Sequence, residues 1–486
     1  MGERVRRRDL AFLNDETLAT PRHNTTVEIF EPGPGGFDHD RLVALVADRL
    51  PLVPRYRQRV VEVPGHLAAP VWVDDDHFDL GYHVRRSALP RPGSMEQLRD
   101  LVARIVSRPL DRSRPLWEVY AVEGLEGDRV ALLHKTHQAL VDGLHTVDLG
   151  QVLLERGPEA RELDPDDWTP RPTPSAPTLL AGAVAESVRH PTTAVVTARA
   201  GVAASLRTAD RTRRRAGQAV SALRGRPPVG ASPLAGPVSQ QRRVVLVETS
   251  LADHRRVRDS HGGTVNDVVL ATVAGALRAW LMTRGDDSAL RAVRALVPVS
   301  VNDAEQELTS LGSQIAAHHV DLPLGEASPV VRLHQVSYSN AAHQESVRGI
   351  AADRLARISG FAPTTFHAIG ARMAASEPRA EVSIVNVPGP QTPLYAAGAR
   401  LESSYPVPTL VPGRPLAVGV TSYDGRLFYG ITADRDQVPD VDVLGTCLTQ
   451  ALEELVDLSS DGGQRARRGR RAKPAKPAEP SPRTDR

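Results

Sequence analysis

The sequence predicts an α/β protein of two halves, and three observations lead to that prediction. Short segments rich in β-branched residues alternate with longer amphipathic segments, which is the pattern of strands and helices. The chain has 486 residues, well beyond about 150 per domain, and 41% of them are hydrophobic, enough for a sizeable core. A Pro-rich segment at 165–177 and an Arg-rich segment at 182–226 separate the two halves.

The first half contains a predicted hairpin and two predicted helices. Apolar residues recur on one face of the segment 95–107, which indicates an amphipathic helix. The other elements predicted here are a strand at 25–30, a helix at 38–49, and a hairpin of strands at 117–122 and 129–136.

The second half begins with a predicted strand at 243–248 and ends with a predicted helix at 441–458. A helix at 264–281 has many apolar residues available for burial. Asp424-Gly425 predicts a hairpin turn between two strands. The strands predicted for this half are 292–298, 315–322, 382–387, 416–423 and 427–433.

This order divides the chain into an N-terminal domain at 1–165, a linker at 166–240, a C-terminal domain at 241–460 and a disordered basic tail at 461–486. The stretch 182–226 has a net charge of +7 and the tail a net charge of +6. A basic amphipathic segment suits an anionic membrane or lipid-droplet surface, and a solvated interdomain helix is the alternative. Nucleic-acid binding is disfavoured, because aromatic residues make up only 4% of the chain and no nucleic-acid motif accompanies the arginines.

Cysteine usage and apolar patterning predict a cytoplasmic protein. Cys447 is the only cysteine, so neither an internal disulfide nor a cysteine-ligated zinc site is expected. The N-terminus lacks an apolar signal core. The longest apolar run, 268–277, is shorter than the about 20 residues of a membrane-spanning helix. We expect peripheral association with the inner face of the plasma membrane or with lipid droplets.

A group of histidines around an Asp-Gly turn is the sharpest local feature. His134 and His137 lie at the end of a predicted strand, and Asp142-Gly143 and His145 follow. Histidine takes a proton near neutral pH, and a strand end holds it on rigid backbone facing a cleft. The Asp-Gly pair also has a structural explanation, because aspartate caps helices and glycine permits tight turns.

Further blocks of residues extend along the chain on both sides of this segment. In order they are Asp9 to Leu13, Trp72-Val73-Asp74, Phe78-Asp79-Leu80, Pro109-Leu110-Asp111, Pro115-Leu116-Trp117, Val265-Asn266-Asp267-Val268, Pro298-Val299-Ser300-Val301, Val385-Asn386-Val387-Pro388-Gly389-Pro390 and Ser422-Tyr423-Asp424-Gly425. With these blocks the chain resembles the bacterial wax ester synthase and acyl-CoA:diacylglycerol acyltransferase family over roughly residues 9–458.

That resemblance implies the two-domain, chloramphenicol acetyltransferase-like fold of CoA-dependent acyltransferases, in which helices flank mixed sheets and a tunnel runs between the domains. It also implies transfer of an acyl group from acyl-CoA to diacylglycerol or a long-chain alcohol. Acyl-CoA is then a substrate, and the resemblance implies no cofactor. No metal is expected either, because His318 and His319 are adjacent on a predicted strand and point to opposite faces.

One motif departs from the family pattern. The family has His-His-x-x-x-Asp-Gly, with the second histidine as the proposed general base. Aligned on Asp142-Gly143, this chain has His137 at the first position and Gln138 at the second. A glutamine forms hydrogen bonds but takes no proton at neutral pH, so the family mechanism does not carry over unchanged.

Three histidines are possible substitutes for the missing base. His137 is the nearest in sequence, although strand alternation places it opposite Gln138. His134, on the same side of the strand as Gln138, and His145, beyond the turn, are the alternatives. A structural role for all three histidines is the remaining interpretation.

Two functions of different classes follow from these residues. The first is a peripheral O-acyltransferase that forms triacylglycerol or wax ester, favoured by the retained Asp142-Gly143 and Asn266-Asp267. The second is a catalytically weakened relative that binds acyl-CoA or lipid at the membrane, favoured by Gln138. Acylation of a specialised hydroxylated metabolite is a third. The resemblance gives Asn266 and Asp267 a role in the tunnel or the domain contact, and ordinary helix capping is the alternative.

Overall fold

The structure is a computed structural model that describes residues 3–33, 36–140, 148–159, 161, 163, 166–189, 234–285, 292–300, 315–346 and 380–471. Within these residues the strands form two six-stranded sheets and one two-stranded sheet. Both large sheets are mixed, since each contains parallel and antiparallel neighbours. The α/β class predicted from the sequence is confirmed.

The first large sheet has the strand order β11-β12-β1-β6-β5-β4, with β1 and β6 at its centre. Its strands are β1 (His23–Glu31), β4 (Val84–Ala88), β5 (Trp117–Glu123), β6 (Val130–His137), β11 (Tyr395–Ala396) and β12 (Ala399–Val407); β2 (Gln58–Val61) and β3 (Val71–Asp74) form the small sheet. The helices of this half are α1 (Arg7–Asp15), α2 (His39–Arg49), α3 (Leu80–His83), α4 (Met95–Val106), α5 (Leu149–Leu153) and α6 (Ala176–Arg189). Ser94 and Gln97 form a capping box at the start of α4, which fixes where that helix begins.

The second large sheet has the order β7-β14-β13-β10-β8-β9. Its strands are β7 (Arg242–Ser250), β8 (Ala292–Ser300), β9 (Ile315–Pro323), β10 (Val382–Val387), β13 (Leu416–Tyr423) and β14 (Arg426–Asp434), and its helices are α7 (Leu251–His261), α8 (Val265–Thr283), α9 (Pro329–Ser346) and α10 (Val441–Arg471). The β13–β14 turn has positive φ at both Asp424 (44°) and Gly425 (80°), the geometry of the predicted hairpin.

A crossover ties the two halves together. Strand β12 comes late in the chain yet pairs antiparallel with β1 in the first sheet. Its Tyr405 ring lies 5.0 Å from Phe428 of β14, and a Cβ on Gly430 would lie 1.6 Å from the Pro406 carbonyl oxygen. Only glycine therefore permits this close approach. The predicted domain boundaries at 165 and 241 do not anticipate the crossover.

Helix α8 forms the centre of the second half. Among the described helices it alone is long and apolar enough to cross a membrane by length and composition, and 72% of that apolar window is buried inside the protein. Val269, Val273 and Leu277 are buried in the core beneath the second sheet. The apolar character of α8 is therefore explained by core packing.

The C-terminal end of the described chain differs from the sequence-based expectation. The predicted tail begins at 461, but α10 continues to Arg471, and the stretch after Gly463 is rich in arginine, which favours helix. Residues 472–486 of the predicted tail lie outside the described residues, as do residues 190–233 of the predicted linker. Within the predicted linker, α6 packs Leu179 against Val71 and Val73 of β3.

Candidate functional site

The antiparallel pairing of β1 with β6 positions the side chains of the candidate site. His23 lies opposite His137, and Asn24 opposite Thr136. The pairing continues past the end of β6, where the Gln138 backbone N–H donates to the Arg22 carbonyl oxygen at 2.8 Å. The backbone of Gln138 is therefore fixed by the sheet.

Strand alternation sorts these residues onto two faces. Asn24 and Glu28 of β1 share one face with His134 and Gln138, as their mutual hydrogen bonds show. His137 lies on the other face, which also carries Lys135. The structure thus separates His137 from Gln138, in agreement with the alternation that the sequence predicts.

His137 is fully buried, and a backbone hydrogen bond holds one of its ring nitrogens. Its Nδ1 accepts the Ala139 backbone N–H at 3.0 Å, and its Nε2 faces Glu16 Oε2 at 3.7 Å. The lone pair of a neutral imidazole is therefore occupied by a backbone donor. This geometry does not support the expectation that His137 replaces the missing base.

Charges around His137 agree with a structural role. Burial lowers the pKa of His137 and outweighs the opposing effect of Glu16. Burial alone would raise the pKa of Glu16, but His137, the Arg22 N–H and the Arg112 guanidinium hold that pKa far below its usual value. Near neutral pH the pair is thus a neutral imidazole beside a carboxylate that Arg112 neutralises.

His134 lies on the Gln138 face in a buried pair with Glu28. Its Nε2 is 3.1 Å from Glu28 Oε2, and both side chains are only 3% exposed. Burial lowers the pKa of His134, but Glu28 and Asp148 outweigh burial and raise it. Glu28 binds only Nε2, and His134 Nδ1 has no hydrogen-bond partner among the described residues, so His134 as the replacement base stays a prediction.

Gln138 lies against a second amide. Its Nε2 donates to Asn24 Oδ1 at 3.4 Å, and both residues are almost completely buried. Gln138 Oε1 has no hydrogen-bond partner among the described residues, and neither does Asn24 Nδ2. The end of β6, where the sequence motif predicts the family's base, thus presents neutral amide groups.

Three predicted site residues, Asp142, Gly143 and His145, lie within 141–147 and outside the described residues. The chain is described again from Asp148, which caps α5 and accepts a hydrogen bond from the Tyr56 hydroxyl at 3.0 Å. The roles predicted for Asp142, Gly143 and His145 therefore remain predictions.

The second half contributes two asparagines and a capping aspartate. Asn386 at the end of β10 donates to Asn266 Oδ1 at 3.0 Å, which ties β10 to the start of α8. Asp267 forms a capping box with Thr264 and also binds Asn340 of α9. Capping therefore accounts for Asp267, whereas Asn266 joins α8 to β10.

Sequence reasoning missed Glu16, Asn24 and Glu28. Each is distant in sequence from its partner in the 134–138 segment, and a single sequence does not show which distant residues pair. The polar residues at 23–26 of a strand that is otherwise apolar enough for burial were the one sign that this strand has a polar partner. Within the described part of the chain, no group of three or more histidine, cysteine, aspartate or glutamate residues could hold a metal ion.

Comparison with known proteins identifies the family. The model of the wax ester synthase/diacylglycerol acyltransferase catalytic domain matches residues 6–269, and that of the WS/DGAT C-terminal domain matches residues 311–456. These two matches, in this order along the chain, define an acyltransferase of two domains. The chain belongs to the wax ester synthase/diacylglycerol acyltransferase family, and the acyltransferase class predicted from the sequence is confirmed.

Individual relatives agree with this assignment. A putative diacylglycerol O-acyltransferase of Mycobacterium tuberculosis is 31% identical over 94% of this chain and 91% of its own length. A probable diacylglycerol O-acyltransferase of the same species is 43% identical over 53% of this chain and 96% of its own length.

Solved structures give the same result. The wax ester synthase/diacylglycerol acyltransferase of Marinobacter aquaeolei VT8 has a TM-score of 0.66 and 26% identity, covering 94% of this chain and 100% of its own. The first condensation domain of the CDA synthetase has a TM-score of 0.51 at 14% identity, covering 95% of this chain and 96% of its own, and shows the shared fold alone.

We predict that His137→Asn retains acyltransferase activity close to that of the wild type, because the asparagine Oδ1 can replace Nδ1 as acceptor for the Ala139 N–H. His137→Ala leaves that buried N–H without a partner and lowers the free energy of unfolding by about 1–3 kcal/mol. The measurement is chemical unfolding together with turnover per folded molecule. Loss of turnover in a stably folded His137→Asn protein would show that His137 is the base after all.

Proposed function

We propose that the protein transfers an acyl group from acyl-CoA to the hydroxyl of diacylglycerol or a long-chain alcohol, forming triacylglycerol or a wax ester. The names of its relatives support these substrates. The observation that carries the mechanism is the Gln138 carbonyl, which is buried at the position of the family's base and has no partner among the described residues.

In the proposed reaction, the acceptor hydroxyl donates its hydrogen bond to Gln138 Oε1 while its oxygen attacks the thioester carbonyl carbon. The C–O bond forms, the C–S bond breaks, and the hydroxyl proton ends on the CoA sulfur. Gln138 orients the hydroxyl without taking the proton. The family's tunnel between the halves would hold the two substrates in line, and such alignment can contribute about 7–11 kcal/mol.

A general base contributes about 10²- to 10⁴-fold, so its absence slows this reaction without abolishing it. His137 does not restore the base, since its Nδ1 accepts the Ala139 N–H, and His134 is held through Nε2 by Glu28 in a buried pair. The proposed enzyme therefore relies on substrate positioning.

Gln138→His should raise kcat by about 10²-fold or more, because it restores the second histidine of the family motif. The measurement is release of free CoA from palmitoyl-CoA with diacylglycerol, hexadecanol or no acceptor. Gln138→Met is the matched control, similar in size but unable to accept a strong hydrogen bond, and should fall below the wild type.

The same assay separates the second candidate function. Acceptor-dependent release by the wild type supports the enzyme. If release appears only in Gln138→His, the native protein is an acyl-CoA- or lipid-binding relative without efficient turnover. Equal rates in all three proteins would contradict the role proposed for Gln138.

We also propose peripheral association with an anionic membrane or lipid-droplet surface on the cytoplasmic side. The basic stretch at 182–226 and the basic residues after 461 support it, together with two exposed apolar side chains. Val184 (60% exposed) lies in that stretch, and Leu67 (57% exposed) follows the turn 64–66, which contacts α6. Each lysine or arginine near such a surface contributes about 1 kcal/mol.

Binding to vesicles containing anionic phospholipid should weaken as salt increases, since screening acts on exposed charge. Deletion of 461–486 should weaken it further at low salt. Cosedimentation measures both effects. Binding that is insensitive to salt and to the deletion would contradict electrostatic attachment.

A further inference from the structure

Two neighbouring amides, one at the start of β1 and one just past the end of β6, leave one hydrogen-bond donor group and one acceptor unused. Asn24 and Gln138 are diagonal neighbours on one face of the sheet, and a single hydrogen bond of 3.4 Å joins them. The remaining donor is Asn24 Nδ2 and the remaining acceptor is Gln138 Oε1, and neither has a partner among the described residues.

Burial makes these two unused groups significant. Asn24 is 1% exposed and Gln138 is 2% exposed, so solvent water at the protein surface does not supply the missing hydrogen bonds. Buried polar groups without partners are rare in folded proteins, and such a pair calls for an explanation. A ligand that supplies both missing hydrogen bonds would provide one.

The conclusion does not depend on how the two amides are oriented. If both side chains are rotated by 180°, the hydrogen bond between them is kept with its direction reversed. The carbonyl oxygen of Asn24 and the NH2 group of Gln138 are then the unused acceptor and donor. In either orientation the pair presents one donor beside one acceptor.

We propose that Asn24 and Gln138 together form the binding site for the acceptor hydroxyl, with Asn24 as a substrate-binding residue. This inference rests on the acyl transfer proposed above and extends it to a second residue. A hydroxyl donates its hydrogen to the free carbonyl and accepts the free N–H through one oxygen lone pair. Its second lone pair remains available to attack the thioester.

The same chemistry defines the class of acceptor. An ether of equal length lacks the hydrogen that the carbonyl accepts, and a thiol forms weak hydrogen bonds. A primary amine is an ammonium ion at neutral pH, which has donors only and leaves the amide N–H without an acceptor. The pair therefore selects alcohols, and a site built to bind a hydroxyl rejects analogues that lack it.

The test compares Asn24→Leu with Thr25→Val. Thr25 is the next residue of β1, is equally buried, and lies on the opposite face, so its replacement controls for disturbance of the strand. In Asn24→Leu the KM for hexadecanol should rise about tenfold, the effect of one hydrogen bond between uncharged groups. The KM for palmitoyl-CoA should stay unchanged, and Thr25→Val should match the wild type in both.

Equilibrium binding gives a readout that needs no turnover. By calorimetry, the wild type should bind 1-octanol about tenfold more tightly than 1-methoxyoctane. Asn24→Leu should bind 1-octanol about tenfold more weakly than the wild type. Gln138→Met is a second variant, on the other amide, and should lose the preference for the alcohol over the ether.

The outcomes separate this inference from the proposed function. If the wild type releases no CoA but Asn24→Leu loses affinity for 1-octanol, acyl transfer is wrong and the hydroxyl site stands. If the wild type is active, but alcohol binding and the hexadecanol KM are the same in Asn24→Leu and Thr25→Val, the hydroxyl site is overturned and acyl transfer stands. Equal affinities of the wild type for 1-octanol and 1-methoxyoctane would also overturn it.

Discussion

The pairing of β1 with β6 is the constraint on which the candidate site depends. It continues past His137 through the hydrogen bond from the Gln138 N–H to the Arg22 carbonyl. Because side chains alternate along a strand, this pairing places Gln138 beside Asn24 and turns His137 toward Glu16. A shift of register by one residue would exchange the two faces, so the chemistry of the site is fixed by the sheet itself.

The two described histidines of the motif region lie beside buried carboxylates. His134 is paired with Glu28, and His137 lies beside Glu16, whose charge Arg112 neutralises. A buried carboxylate without a partner would be costly, so both histidines have structural reasons to be present. Gln138, where the sequence motif predicts the family's base, lies instead beside a second amide.

Sequence reasoning located most of the elements but not their long-range partners. Local patterns predicted strands and helices such as β10 and α8 because alternation and apolar periodicity are properties of contiguous residues. Strand β12 was missed, and its crossover to β1 joins residues far apart in the chain. For the same reason the Gln138 substitution was visible in the sequence, whereas its contact with Asn24 required the fold.

The central claim is that the reaction proceeds without a titrating base at the acceptor hydroxyl, and the pH dependence of kcat tests it most directly. Acceptor-dependent release of CoA by the wild type should show no inflection from about pH 5.5 to 8, since an amide does not titrate there. A histidine base would instead make kcat fall tenfold per pH unit below a pKa near about 6.5. An inflection of that kind in the wild-type protein would contradict the account.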